Sequence, residues 1–383
     1  MKLSHLLILS LMMLPTWGWA YPEFIGIGYG SCLTCHYNGQ GNGPLNDYGR
    51  ALLSAEVSSR VFTSNNEEKL SASSGFFGTK QLPWWIRPGI KARNLWMHTN
   101  PGGTETRSRS ILMQADFNLA ILMDPQQKLI FVGGIGYQPK PATATATKTE
   151  PYISREHYVR WRAGDPLWVY MGFMDKTYGL RIVNHTAFSR AGIGLGQNDQ
   201  SHGAVLHYVQ PTWELTANPF LGNLYKAKAS EQQRGIAVLY DREWSKDIRV
   251  GASVLSSSSK ILETTKVGAQ VRAGIGYGAA VLLDAGLLRN HTPSTDVTQQ
   301  GYYVFSQMSQ RLARGYHLFF VGQANKKNMK ATETDFFKAG AGLLMFPFPR
   351  LELRAEVENT RSISPNDVSP EGWLALVQAH LSL

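Results

Sequence analysis

From about residue 87 to its end the chain is written in a two-residue period. In 266–277, Val267, Ala269, Val271, Ala273, Ile275 and Tyr277 alternate with Lys266, Gly268, Gln270, Arg272 and Gly274. In 351–358, Leu351, Leu353, Ala355 and Val357 oppose Glu352, Arg354, Glu356 and Glu358; in 110–121, Ile111, Met113, Phe117, Leu119 and Ile121 oppose Ser110, Gln114, Asp116 and Asn118. Successive strand side chains point to opposite faces, so each segment is a strand with one apolar and one polar side. No run after residue 20 has enough consecutive apolar residues to cross a bilayer as a helix.

A soluble sandwich alternates too, and the connections separate it from a membrane barrel. The pattern predicts about sixteen strands, from 88–100 to 371–383, including 152–163, 167–179, 279–289 and 301–312. Every second connection is short: Asp124-Pro125-Gln126-Gln127, Gly164-Asp165-Pro166, Gln210-Pro211, Tyr277-Gly278 and Phe346-Pro347-Phe348-Pro349. Those between are mostly long: PKPATATATKTEP from 139, the stretch 180–201, and those near 220–233, 290–300 and 360–370. An even strand count with short turns at one end and long loops at the other is the pattern of bacterial outer-membrane barrels. The last strand alternates through Trp373, Ala375, Val377, Ala379, Leu381 and Leu383, and resembles the closing strand of such proteins. The expected fold is mainly β: a transmembrane outer-membrane barrel of about sixteen antiparallel strands over 81–383, embedded in outer-membrane lipid.

Residues 1–20 combine Lys2, an apolar run and a Gly18-Trp19-Ala20 ending, the form of an export signal. The formal net charge of +10 lies in no basic block and reads as scattered solvated lysines and arginines, with a weak preference for anionic partners; nucleic acid is not an expected partner.

The only two cysteines stand in GSCLTCHYNG, three apart and followed directly by a histidine. A disulfide across so small a loop stabilises little. A thioredoxin-like pair needs a βαβ setting that is absent, and zinc needs four ligands where three stand. Cys-X-X-Cys-His is the attachment sequence of haem c. Cys32 and Cys35 are its expected thioether anchors and His36 its proximal iron ligand, in a small N-terminal α-helical haem domain that spans 21–80 with its linker. Asn42-Gly43-Pro44 sets a turn with Pro44 opening a helix, and Leu45, Tyr48 and Leu52 recur at helical spacing to cover the ring. From Tyr37 through Trp96 there is neither histidine nor methionine. Either the iron is five-coordinate or its second axial ligand comes from the barrel: His185, in the glycine-rich 180–201 stretch that can fold into the lumen, ranks first, followed by Met97, His98 and His380. The α-amine of Tyr21, whose Tyr-Pro start looks like that of cytochrome f, is a further candidate.

The haem sequence, its continuation Gly43 to Arg50 and the haem-then-barrel layout resemble the fused outer-membrane monohaem cytochrome–porins, some of which oxidise ferrous iron at the cell surface. The resemblance in sequence covers about residues 28–53. It implies a haem on the periplasmic side or within the barrel lumen, passing electrons across the outer membrane between a periplasmic redox partner such as a soluble cytochrome and an extracellular donor or acceptor. The alternatives are a haem-plugged or haem-sensing porin for small solutes, and a soluble periplasmic cytochrome with a β-rich domain. No paired acid, nucleophilic triad or phosphate loop stands out for hydrolytic chemistry.

Overall fold

The structure, a computed structural model, describes residues 22–41, 43–59, 82–100, 106–137, 152–184, 186–225, 232–276, 278–330, 332–364, 367–368 and 372–382. The expected leader, the 63–80 linker and the Pro-Ala-Thr run fall outside them.

One antiparallel sheet closes on itself: the first strand, Ile86–Asn100, pairs on one side with Arg107–Leu122 and on the other with the last strand, Gly372–Ser382. Tyr152–Ile153 and His157–Arg162 share one stave beside Leu129–Tyr137, and Asp367–Val368 is a two-residue flap on Leu351–Ser364; the wall therefore has sixteen staves. Closure leaves no sheet edge, which is what a strand protein needs in lipid, where an unpaired backbone group finds no water.

The two faces decide what surrounds the barrel. In strand Glu263–Gly274, Thr264, Lys266, Gln270 and Arg272 are buried while Val267 is half exposed. Phe117, Phe131, Trp161, Leu287, Val304 and Phe320 are likewise exposed, while Asn118, Arg160, Asp284 and Gln307 are buried. Apolar side chains outside and polar ones inside invert a water-soluble protein and match a lipid-facing wall around a polar lumen.

Several strand limits differ from those predicted. The stave expected over 167–179 ends at Met174, because the chain leaves the wall at Asp175 for the lumen. The 152–163 segment is interrupted at Ser154, whose hydroxyl meets His157 Nδ1 at 2.9 Å. The connection expected near 290–300 is a tight one: strands Ala279–Thr292 and Val297–Ala313 stay paired to Thr292↔Val297, with Asp296 taking the turn at φ 53°. Nor is the positive charge all solvated, since Arg87, Arg155, Arg160, Arg190, Arg249, Lys266 and Arg272 are buried.

Arg87, Arg155, Arg160 and Arg272 bind two inserts that occupy the lumen. Residues 22–59 touch staves around the whole circumference, so they lie inside the barrel. Lys91 Nζ donates to Gly43 O (2.6 Å), Arg160 Nη1 to Tyr37 O (3.1 Å), Arg272 Nη1 to Gly30 O (2.6 Å) and Arg314 Nε to Ser58 O (2.9 Å). An insert with little regular structure has carbonyls without ladder partners, and the wall's charged donors satisfy them. Arg160, Arg272 and Arg314 stand at or beside short turns, the periplasmic end in outer-membrane barrels.

The second insert, residues 175–200, lies farther along the lumen, where wall side chains hold its backbone. Leu180 N donates to Asp284 Oδ2 (3.0 Å), Thr177 N to Asn218 Oδ1 (3.2 Å) and Phe188 N to Gln323 Oε1 (2.7 Å). Its Leu180, Ile182 and Ala187 form an apolar cluster with Leu282, Phe305 and Val321 of the wall.

Candidate functional site

The Cys32–His36 segment is a tight turn. A 3₁₀ turn at Cys32–Thr34 is closed by Cys35 N and His36 N donating to Cys32 O (3.2 and 3.0 Å). The chain then returns on itself: His36 bridges Leu45, and Asn46 N donates to Cys35 O (2.9 Å). Asn46 clamps two elements. Its Oδ1 accepts from Gly49 N (2.8 Å), capping helix α1 (Asp47–Leu52), and its Nδ2 donates to Thr34 O (3.0 Å). A side-chain cap of this kind satisfies an amide that the first helical turn leaves orphaned. Two glycines permit the close approach. A Cβ on Gly49 would lie 2.4 Å from Cys35 O, and Gly41, at φ 69°, packs where a Cβ would sit 3.2 Å from Cys32 Sγ.

Cys32, Cys35 and His36 all line one cavity of about 250 Å³, bounded by both inserts and the wall. Its lining combines apolar side chains (Phe24, Leu45, Leu52, Leu53, Val57 and Phe346) with cations (Lys91, Arg93, Arg155, Arg181, Arg190 and Arg350) and the carboxylates of Asp175 and Glu352. Burial pushes the Cys35 thiol up to about 12, and burial also raises Cys32, against the opposing pull of Arg272 and other cations. Both cysteines are free thiols, not a disulfide. Thiols held protonated are poor nucleophiles and poor ligands for a bare metal. Among the described residues no group of three or more His, Cys, Asp or Glu could hold one.

The same burial suits an uncharged thioether. A haem attached at Cys32 and Cys35 would set its ring against Leu45, Leu52 and Val57, with His36 on the iron. Its propionates would meet the cations of the lining. There Arg181, paired with Asp175, is driven down to about 9 by burial and by the neighbouring charge of Arg190, and burial lowers Arg190 too. Two desolvated cations beside each other are stabilised by an anionic group. The residues therefore fit a haem c.

Other expected residues go elsewhere. Helix α1 starts at Asp47 and not at Pro44, because Asn46 supplies the cap, and after Leu52 the chain widens into a π turn, Leu53–Val57. Leu45 therefore lies before the helix, bridged to His36, and Tyr48 in the first helical turn does not line the cavity: its ring is half exposed and meets Tyr29 edge-on. Met97 Sδ accepts from Arg109 Nε (3.3 Å) and His98 Nδ1 meets Ser108 Oγ (2.7 Å). Both sit at the far half of the first strand, some four to five residues past cavity-lining Arg93, about 13–17 Å at a strand rise of ~3.3 Å per residue. His185 and Tyr21 lie outside the described residues. His380 does line the cavity.

The cations of the lining and Phe24, Leu53, Val57 and Phe346 were not foreseen. One signal was available in the sequence: 279–288 (AAVLLDAGLL) and 316–324 (YHLFFVGQA) are apolar on both faces, more than a lipid wall requires, and they are where the inserts pack.

No family model matches the chain, and no curated protein matches it in sequence. Its fold has close likenesses. The anion-selective porin from Comamonas acidovorans aligns with a TM-score of 0.61 at 7% identity, over 78% of this chain and 99% of that one. Outer-membrane expressed OmpT of Vibrio cholerae gives 0.59 at 9% (78% and 97%), and the outer membrane channel DcaP of Acinetobacter baumannii 0.57 at 11% (78% and 97%). At such identities the likeness is one of fold. The chain has the sixteen-stranded barrel of outer-membrane porins.

Proposed function

We propose that this protein is an outer-membrane barrel whose lumen carries one covalent haem c and passes electrons from one side of the membrane to the other. The observation that carries the reading is the meeting of Cys32, Cys35 and His36 at a single cavity lined by residues of both inserts and of the barrel wall. Bound there, the haem supplies a one-electron couple between ferrous and ferric iron. Cys32 and Cys35 fix the ring, His36 ligates the iron, Phe24, Leu52 and Val57 keep water away, and Arg181 and Arg190 balance the propionate charge. The donor is a small reductant such as ferrous iron at the long-loop side, and the acceptor is a soluble redox protein at the short-turn side.

The test uses vesicles carrying the mature holoprotein, with ferricyanide sealed inside and ferrous iron outside. Ferrous iron gives up one electron and internal ferricyanide gains it. Internal reduction that scales with protein and disappears in Cys35→Ser is the expected result; equal rates in parent and Cys35→Ser would reject the reading.

A second reading is diffusion of small solutes, favoured by the fold likeness to porins and channels and by the basic lumen. Planar-bilayer conductance comparable to an open porin, with no electron transfer, would support it.

A further inference from the structure

We infer that His380, in the last strand of the barrel, is the second axial ligand of the haem iron, held in place by Glu352. The inference rests on the haem reading above and deepens it by making the wall itself part of the metal site.

His380 stands in the lumen phase of its strand, between the exposed Val377 and Leu381 that face lipid, and its side chain is only 12% exposed. Its two ring nitrogens are in opposite situations. Nδ1 lies 3.2 Å from Oε2 of Glu352, its directly registered neighbour on strand Leu351–Ser364, so the N–H donates to the carboxylate. That fixes the tautomer and leaves the lone pair on Nε2, which is buried with no hydrogen-bond partner among the described residues. An orphaned buried polar atom is costly, so such atoms call for a partner. A carboxylate on one nitrogen and a free lone pair on the other is the arrangement of a metal-ligating histidine.

Position narrows the choice. Among the described residues, His36 and His380 are the only imidazoles lining the cavity, and no methionine lines it. The other buried imidazoles are turned away: His207 Nε2 meets Glu214 (2.9 Å) and the ring faces Gly39, while His317 packs among Phe24 and Phe346. His380 belongs to a strand tied by a full ladder on both sides, so the ligand is fixed to the wall while His36 comes from the insert. The iron would thus join the two.

The experiment is absorption and electron paramagnetic resonance spectroscopy, with redox titration, on full-length holoprotein matched for haem content. Heat-dependent electrophoretic mobility verifies that the barrel is folded. The parent is expected to be six-coordinate and low-spin. His380→Ala should turn high-spin and recover a low-spin spectrum on adding imidazole. His380→Met keeps the side chain's bulk and guards against misfolding; it should stay low-spin at a higher potential, as thioether replaces imidazole. Glu352→Gln, a change at a positioning residue, should stay low-spin with its potential raised, because the carboxylate strengthens the imidazole as a donor to ferric iron. A high-spin parent, or His380→Ala and His380→Met with the parent's spectrum and potential, would overturn the inference while leaving the haem reading intact. A parent without covalent haem would remove both.

Discussion

The wall of the barrel and the material inside it obey different rules. Each stave is specified locally: alternation sets its faces, and the ladder to the next stave repeats from Ile86 to Ser382. The inserts have no such repeat. Residues 22–59 are held by Lys91, Arg160, Arg272 and Arg314, which are scattered along the sequence and converge only when the barrel closes. A wall built by a periodic rule is robust, whereas an insert built from single long-range bonds is adaptable, and it is the insert that holds Cys32, Cys35 and His36.

Removing the insert should break the comparison most visibly. With residues 22–59 deleted, the sixteen-stave ladder keeps every backbone bond of its own, so the barrel should still assemble, while conductance in planar bilayers rises several-fold over the full chain. An unchanged conductance would mean that these residues do not fill the lumen.

Exchanging faces gives the next largest effect. Lys266 faces the lumen and Val267, beside it, faces lipid. Val267→Lys should lower folding stability in bilayers by about 2–4 kcal/mol if its depth is near the midplane. A cost no greater than that of Lys266→Gln would contradict the assignment of faces.

The smallest effect falls on the insert's own order. Asn46→Ala removes the cap of α1 and the donor to Thr34 O, at a cost of about 1 kcal/mol. Because that change loosens the Cys32–His36 turn without touching the wall, limited proteolysis near residues 30–50 should speed up while the barrel's thermal midpoint stays where it is.

The same division explains what could be read in advance. Sixteen staves, their faces and the short-turn end were legible because period-2 patterning and turn residues are local signals; the stave over 167–174 was overrun because nothing in its neighbourhood announces that Asp175 will pair with Arg181 inside the lumen. Cys32, Cys35 and His36 were legible as a motif whose spacing has a chemical meaning. Tyr48 was misplaced because helical spacing was counted from Pro44, whereas the helix begins after the cap at Asn46 and Leu45 belongs to a bridge with His36. The cations of the cavity were invisible for a different reason: Arg93, Arg155, Arg181, Arg190 and Arg350 come from four separate parts of the chain, and only barrel closure makes them neighbours.

The claim that an iron porphyrin is bonded to the insert within the lumen is tested most directly by the intact mass of the mature chain, produced alongside haem-attachment machinery and purified from outer membranes. The account predicts a mass equal to the polypeptide plus one haem, retained through acid and organic extraction and lost in Cys32→Ser/Cys35→Ser. A mass equal to the polypeptide alone, in a barrel that is otherwise folded, would contradict it.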